Sequence, residues 1–172
     1  MFRFILGFIA AFVLIAVFGF TYLAMGYAPV ATGSHPLPGE VSLTHMALHA
    51  AVRKHAPKNS PIQADETNLA AGARVYRSSC AVCHGLPEQP VTPIARGLFP
   101  KPPALFEGKG VTDDPPGETY WKAANGIRLT GMPGFKGALS DTELWQVSLL
   151  LAHADKLSPN VRKILSAPAP QS

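Results

Sequence analysis

Charge is scarce in this chain. Asp, Glu, Lys and Arg make up 15% of its 172 residues, against about 25% in an ordinary soluble domain, so part of the sequence lacks the polar surface that water demands. Cysteine is scarcer still. Two residues exclude a disulfide-rich scaffold and a four-cysteine zinc site. Strand-like alternation of apolar and polar residues is nearly absent and no internal repeat is evident, so the folded part is expected to be all-α. A formal net charge of +4 is too small to suggest a nucleic-acid partner. Disorder is excluded too, because 47% of the residues are apolar and the net charge is low.

Much of the charge deficit lies in one place. Residues 4–25 form a stretch of 22 without a charge, and at about 1.5 Å per residue such a helix is roughly 33 Å long, enough to cross the hydrocarbon of a bilayer. A cleaved signal peptide is the rival, with Ala24-Met25-Gly26 as a tolerable cleavage site. Signal peptides carry shorter apolar regions of about 7 to 15 residues, which favours an uncleaved anchor over residues 1–27. Arg3 lies on the short N-terminal side, so the positive-inside tendency puts that end in the cytoplasm, and Tyr22 and Tyr27 flank the exit where amphipathic rings favour the interface.

After the anchor, roughly 145 residues remain, room for one small domain with extensions. Residues 28–39 contain Pro29, Pro36, Pro38 and two glycines and read as an extended tether. A helix is expected over 41–55, with Val41, Leu48 and Val52 sharing a face with Thr44 and Ala51, and with Pro57 and Pro61 ending it. Tether and helix together make a segment 28–64. A further helix over 65–79, with Leu69, Ala73 and Tyr76 at helical spacing, runs into Cys80. Residues 85–133 hold nine of the 17 prolines, which excludes long helices over most of that region apart from a short one at 117–125. Ser140 and Glu143 form a capping box for a last helix, whose buried face is marked by Leu144, Val147 and Leu151 and widened by Leu150. The expected compact domain is 65–157, followed by a tail, 158–172.

The chemistry is concentrated in Cys80-Ala81-Val82-Cys83-His84, a C-x-x-C-H haem-attachment sequence. Two thiols three residues apart lie on about one helical turn and can add to the two vinyl groups on one side of a porphyrin, while the next residue offers its imidazole to the iron. A redox dithiol would sit in a strand-helix alternation that is missing here, and a zinc site would need two more ligands at matching spacing. One covalent haem c is therefore expected at Cys80, Cys83 and His84.

For the sixth iron position the best candidate is Met132. It lies in Thr130-Gly131-Met132-Pro133-Gly134-Phe135, where glycine and proline hold a thioether in a loop rather than in a packed helix. Met46 and the histidines at 45, 49 and 55 are rivals. His/Met ligation raises the reduction potential and leaves no open position for a substrate, so the pair His84 and Met132 suits electron transfer rather than an enzyme. His45 and His49, four apart on one helix face, are also compatible with a metal.

The attachment sequence, the Gly-Met-Pro loop at 131–133 and the closing helix together resemble a class I, mitochondrial-type cytochrome c over residues 65–156. The stretches 98–105 and 117–127 are similar to a proline-rich bacterial branch of membrane-bound monohaem cytochromes. The resemblance implies a small helical domain around one haem, with Gly72 and Tyr76 on the first helix packed against Val147, Leu150 and Leu151 on the last. It also implies a backbone carbonyl beside Pro102 or Pro103 that accepts the N–H of the ligand histidine. Trp121, Tyr120 and Phe135 are candidates to line a haem crevice, and Arg128 to pair with a propionate. Lys101, Lys109, Lys122 and Lys136 are candidates to steer an acidic redox partner.

The expectation that follows is a single-pass cytochrome of the bacterial inner membrane, facing the periplasm, that passes single electrons between redox partner proteins. Two alternatives use the same haem: a fixed subunit of a larger membrane oxidoreductase, and a haem enzyme or sensor whose sixth position opens.

Overall fold

The computed structural model describes residues 1–107 and 112–167 and divides into two compact units, Met1–Val41 and Ser42–Ser172. The first unit is dominated by α1 (Phe2–Ala24), none of whose residues is buried. The one charged side chain of α1 is Arg3. The hydroxyl of Thr21 donates to the Val17 carbonyl at 2.7 Å, so even this polar group is satisfied within the helix, as an apolar surrounding requires. Tyr22 and Tyr27 stack at its end with ring centroids 6.1 Å apart. Among the described residues this is the one helix long and apolar enough to cross a membrane.

The second unit is all-helical among its described residues. The helix α2 (Glu40–His55) begins at the boundary between the units, and only Val52 is fully buried on it. Leu48 and Ala51 are half-buried while Val41 and Thr44 are exposed. The expected face is thus covered only toward its C-terminal end. The chain after α2 meets α6 (Pro116–Asn125) at backbone distance, because a Cβ on Gly117 would strike the Pro57 carbonyl.

The core is a crossing of α3 (Glu66–Val75) and α7 (Asp141–Ala152). Asp65 caps α3 by accepting the Asn68 N–H at 2.8 Å. At the start of α7 Ser140 N donates to Glu143 Oε2 at 2.8 Å and Glu143 N donates to Ser140 Oγ at 3.3 Å, the reciprocal capping box expected there. The two helices cross at Gly72, where any Cβ would run into the Gln146 carbonyl. Tyr76, Leu150 and Ala73 are wholly buried at the same crossing.

Two elements depart from expectation. The segment 158–166 is no tail: α8 (Pro159–Ser166) packs on α3 and buries Val161 and Leu165 in the main core. Its signal was present in the sequence. Ser158 is an N-cap before a proline at the first helical position, and Val161, Ile164 and Leu165 repeat at helical spacing. The short α5 (Pro93–Gly97), capped by Thr92, was likewise hidden among prolines that serve as a helix start rather than as breakers.

Candidate functional site

The attachment turn is built by a change of helical pitch. After α3 the chain widens into a single π turn, Tyr76–Cys80, and then tightens into α4 (Ala81–His84). Single π turns inside α-helices are frequent at functional sites, and sequence periodicity alone could not distinguish this one from continued α-helix. Gly85 ends α4 with φ +78, a left-handed value that favours glycine. The fully buried Tyr76 ring sits edge-on against Phe106 at 4.8 Å, and its hydroxyl donates to the Gly85 carbonyl at 2.8 Å. One tyrosine therefore joins the start of the π turn to the end of the attachment turn.

Arg77, in the same turn, donates from Nη1 to the carbonyls of Leu165 at 2.9 Å and Ala167 at 2.6 Å. These are the free carbonyls at the C-terminus of α8, where a cation also opposes the helix dipole. The attachment turn is thus tied to a helix 80 and more positions away in sequence, a role that no short motif announces.

Cys80 and Cys83 are half-buried free thiols. Burial, together with the neighbouring Cys83, pushes the Cys80 thiol up to about 11. His84 is also half-buried, and burial lowers its pKa although a hydrogen bond to the Pro103 backbone opposes the shift. That bond is Nδ1 to the Pro103 carbonyl at 2.9 Å. A carbonyl can only accept, so Nδ1 carries the proton and Nε2 is left with its lone pair. Of the two prolines open on sequence, Pro103 supplies the carbonyl.

The Met132 loop is held differently. Met132 N donates to Thr130 Oγ1 at 3.1 Å, Thr130 Oγ1 donates to the Ile127 carbonyl at 2.7 Å, and Ile127 N returns to the Met132 carbonyl at 3.1 Å. Gly126, with φ +70, lies so close to residues 132–134 that a Cβ would meet their backbone. Gly131 abuts the Leu98 side chain in the same way. Phe135 N then bonds the Ala123 carbonyl of α6 at 2.9 Å. Met132 itself is half-buried.

The residues present fit haem c. Two thiols stand on one turn, the histidine beside them has its Nδ1 engaged and its Nε2 open, and the chain from α4 through α5 and the loops beside them carries exposed apolar side chains at Val82, Val91, Ile94 and Phe99, a surface suited to a flat apolar macrocycle. The aromatic candidates divide. Tyr120 stacks on Trp145 of α7 with centroids 4.3 Å apart and donates to Asp141, which makes it a packing residue between α6 and α7. Phe135 joins the small core of Ala123, Ala124 and Leu144. Trp121 is half-buried and Arg128 exposed. Among the lysines, Lys101 and Lys136 are exposed, Lys122 is paired with Asp114, and Lys109 lies outside the described residues.

A helical domain whose α3 and α7 cross at Gly72, with a C-x-x-C-H turn and a carbonyl-bonded histidine between them in sequence, is a c-type cytochrome domain. Residues 67–149, just under half of the chain, match the protein family described as cytochrome c oxidase, cbb3-type, subunit III, a c-type cytochrome family of the class I monohaem kind. No curated protein and no solved structure gives a significant match. A cytochrome c domain of this kind implies covalently bound haem c and haem-based electron transfer.

Proposed function

We propose that this protein is a membrane-tethered monohaem cytochrome that carries single electrons between redox partners on the periplasmic side of a bacterial inner membrane, with His84 and Met132 as the axial ligands. The observation that carries the reading is the His84 Nδ1 bond to the Pro103 carbonyl at 2.9 Å, which fixes the ring and makes its other nitrogen a better donor. Bound haem supplies an iron that takes up and releases one electron. Cys80 and Cys83 hold the macrocycle covalently and prevent its loss. His84 is positioned from Pro103, and Met132 is carried by a backbone loop pinned to α6, so neither ligand needs a large movement when the charge on the metal changes.

The apolar α1, charged only at Arg3 on its cytoplasmic end, acts as an uncleaved anchor. A tether over 28–39 keeps the domain at high local concentration near membrane enzymes. The exposed Lys101 and Lys136 favour an acidic partner surface, an effect that added salt weakens. A second reading, a fixed subunit of a membrane oxidase, is favoured by the family description, which names an oxidase subunit. Copurification of other chains after mild detergent extraction would support the subunit; a haem protein that leaves the membrane alone would support the free carrier.

The deciding test of ligation is Met132→Ala. Haem stays covalently attached, the potential falls, and the ferrous protein gains carbon monoxide binding at neutral pH. An unchanged potential with no new ligand binding removes Met132 from the iron. Ready carbon monoxide binding by the unsubstituted protein would instead favour an enzyme or sensor with an open sixth position.

A further inference from the structure

Ahead of its covered C-terminal end at Val52, α2 carries exposed donor groups that haem attachment does not use. At 100° per residue, His45, His49 and Met46 fall within about 100° of arc on this helix. All three are exposed, Met46 by 63%. The His45 and His49 rings stand edge to face with centroids 6.2 Å apart. Among the described residues neither imidazole is engaged in a hydrogen bond or ion pair. Residues one helical turn apart place their side chains over one another, so modest rotation of the exposed rings brings one nitrogen from each to a common ion without moving the backbone. Met46, beside them, adds a soft thioether.

We propose that His45, Met46 and His49 form a surface copper site on α2, separate from the haem-attachment residues. The donor set decides the metal. Two imidazoles bind divalent ions late in the first transition row most strongly, with Cu(II) above Zn(II), and a thioether selects Cu(I). Calcium and magnesium require several oxygen ligands, and no group of three or more His, Cys, Asp or Glu side chains placed to hold a metal occurs among the described residues. The site therefore takes Cu(II) through the two imidazoles and Cu(I) with the sulfur added.

The test uses the full-length, haem-loaded protein in detergent. Titration with Cu(II), followed calorimetrically, should show binding at least about tenfold weaker in the double variant His45→Ala plus His49→Ala, the lower end of what losing even an outer-shell partner costs a metal site. The same titration should be unchanged in His35→Ala plus His55→Ala. Alanine is the best helix former and both replaced positions are exposed, so circular dichroism and the haem spectrum should not move. Met46→Leu should leave Cu(II) binding intact and weaken Cu(I) binding, measured anaerobically by competition with a chromophoric Cu(I) chelator. Cu(II) affinity that survives loss of both His45 and His49, or that disappears with His35 and His55, overturns the site. Zn(II) binding as tight as Cu(II), or Cu(I) binding indifferent to Met46→Leu, overturns the assignment to copper.

Discussion

The attachment turn and the Met132 loop carry the two candidate ligands of one iron, yet the chain secures them by different means. On the His84 side the bonds run from side chains, one fully buried and two half-buried: the Tyr76 hydroxyl to Gly85, Arg77 to the end of α8, and the imidazole to Pro103. On the Met132 side they are mostly backbone contacts made possible by missing side chains, with Gly126 and Gly131 against their neighbours and a threonine hydroxyl closing the turn. Side-chain bonds in a packed core resist displacement because breaking one leaves a buried polar group unsatisfied. A half-exposed loop resting on glycine contacts opens at lower cost. The comparison teaches that the histidine is the more firmly held of the two candidate ligands and the methionine the one that conditions or mutations will loosen first.

The largest effect that would break this comparison is loss of attachment itself. Cys80→Ala with Cys83→Ala should abolish haem that survives denaturation, and a haem-stained band persisting on a denaturing gel would sink the covalent assignment. Next comes Gly126→Ala, which adds a Cβ against residues 132–134 at a positive φ; overpacking of this kind costs roughly 1 to 3 kcal/mol. Its thermal midpoint should fall and its potential should drop toward that of Met132→Ala while haem stays bound. A normal potential would show that the loop's glycine contacts do not govern the methionine.

Tyr76→Phe probes the other side. It leaves the Gly85 carbonyl without its donor and should cost about 1 kcal/mol, read as a lower denaturant midpoint with the potential little changed. A change in potential larger than that of Gly126→Ala would reverse the comparison. The smallest effect belongs to Glu66, whose carboxylate accepts hydrogen bonds from Asn160 at 3.0 Å and Ser158 at 2.8 Å at the start of α8. Those bonds hold its pKa below the usual carboxylate value. A lowered folded-state pKa means that the stabilisation is present above the ordinary carboxylate range and fades as pH falls through the folded value. Glu66→Gln should therefore flatten the acid limb of the stability profile slightly, and an unaltered limb would show that α8 is held by Val161, Leu165 and Arg77 alone.

Several of these groups were legible before any coordinates. The C-x-x-C-H turn, the capping box at Ser140 and the Gly72 and Tyr76 pair are short-range signals, each a property of neighbouring residues whose chemistry admits few alternatives. The short helix around Tyr120 was legible for the same reason. Its ring, however, proved to pack on Trp145 rather than to stand as a crevice wall, because the choice between core and ligand contact depends on what another helix places opposite. The π turn escaped notice since it changes pitch by one residue inside an apolar periodicity that α-helix explains equally well. The helix α8 was missed although its cap and spacing were visible, because an isolated eight-residue helix is not stable alone and only its burial on α3 accounts for it.

What the sequence alone determined is the part made by covalent neighbours: the apolar α1, the two thiols and imidazole on one turn, the glycine-flanked Met132 and the all-helical character. Tertiary structure decided that Pro103 rather than Pro102 orients His84, that Arg77 reaches the end of α8, that Lys122 is spoken for by Asp114, and that residues 158–166 are core. Each of these turns on which distant backbone group lies within about 3 Å of a side chain, the span of a hydrogen bond. Local sequence limits what a residue can offer, but the packing of helices far apart in the chain selects the partner that receives it.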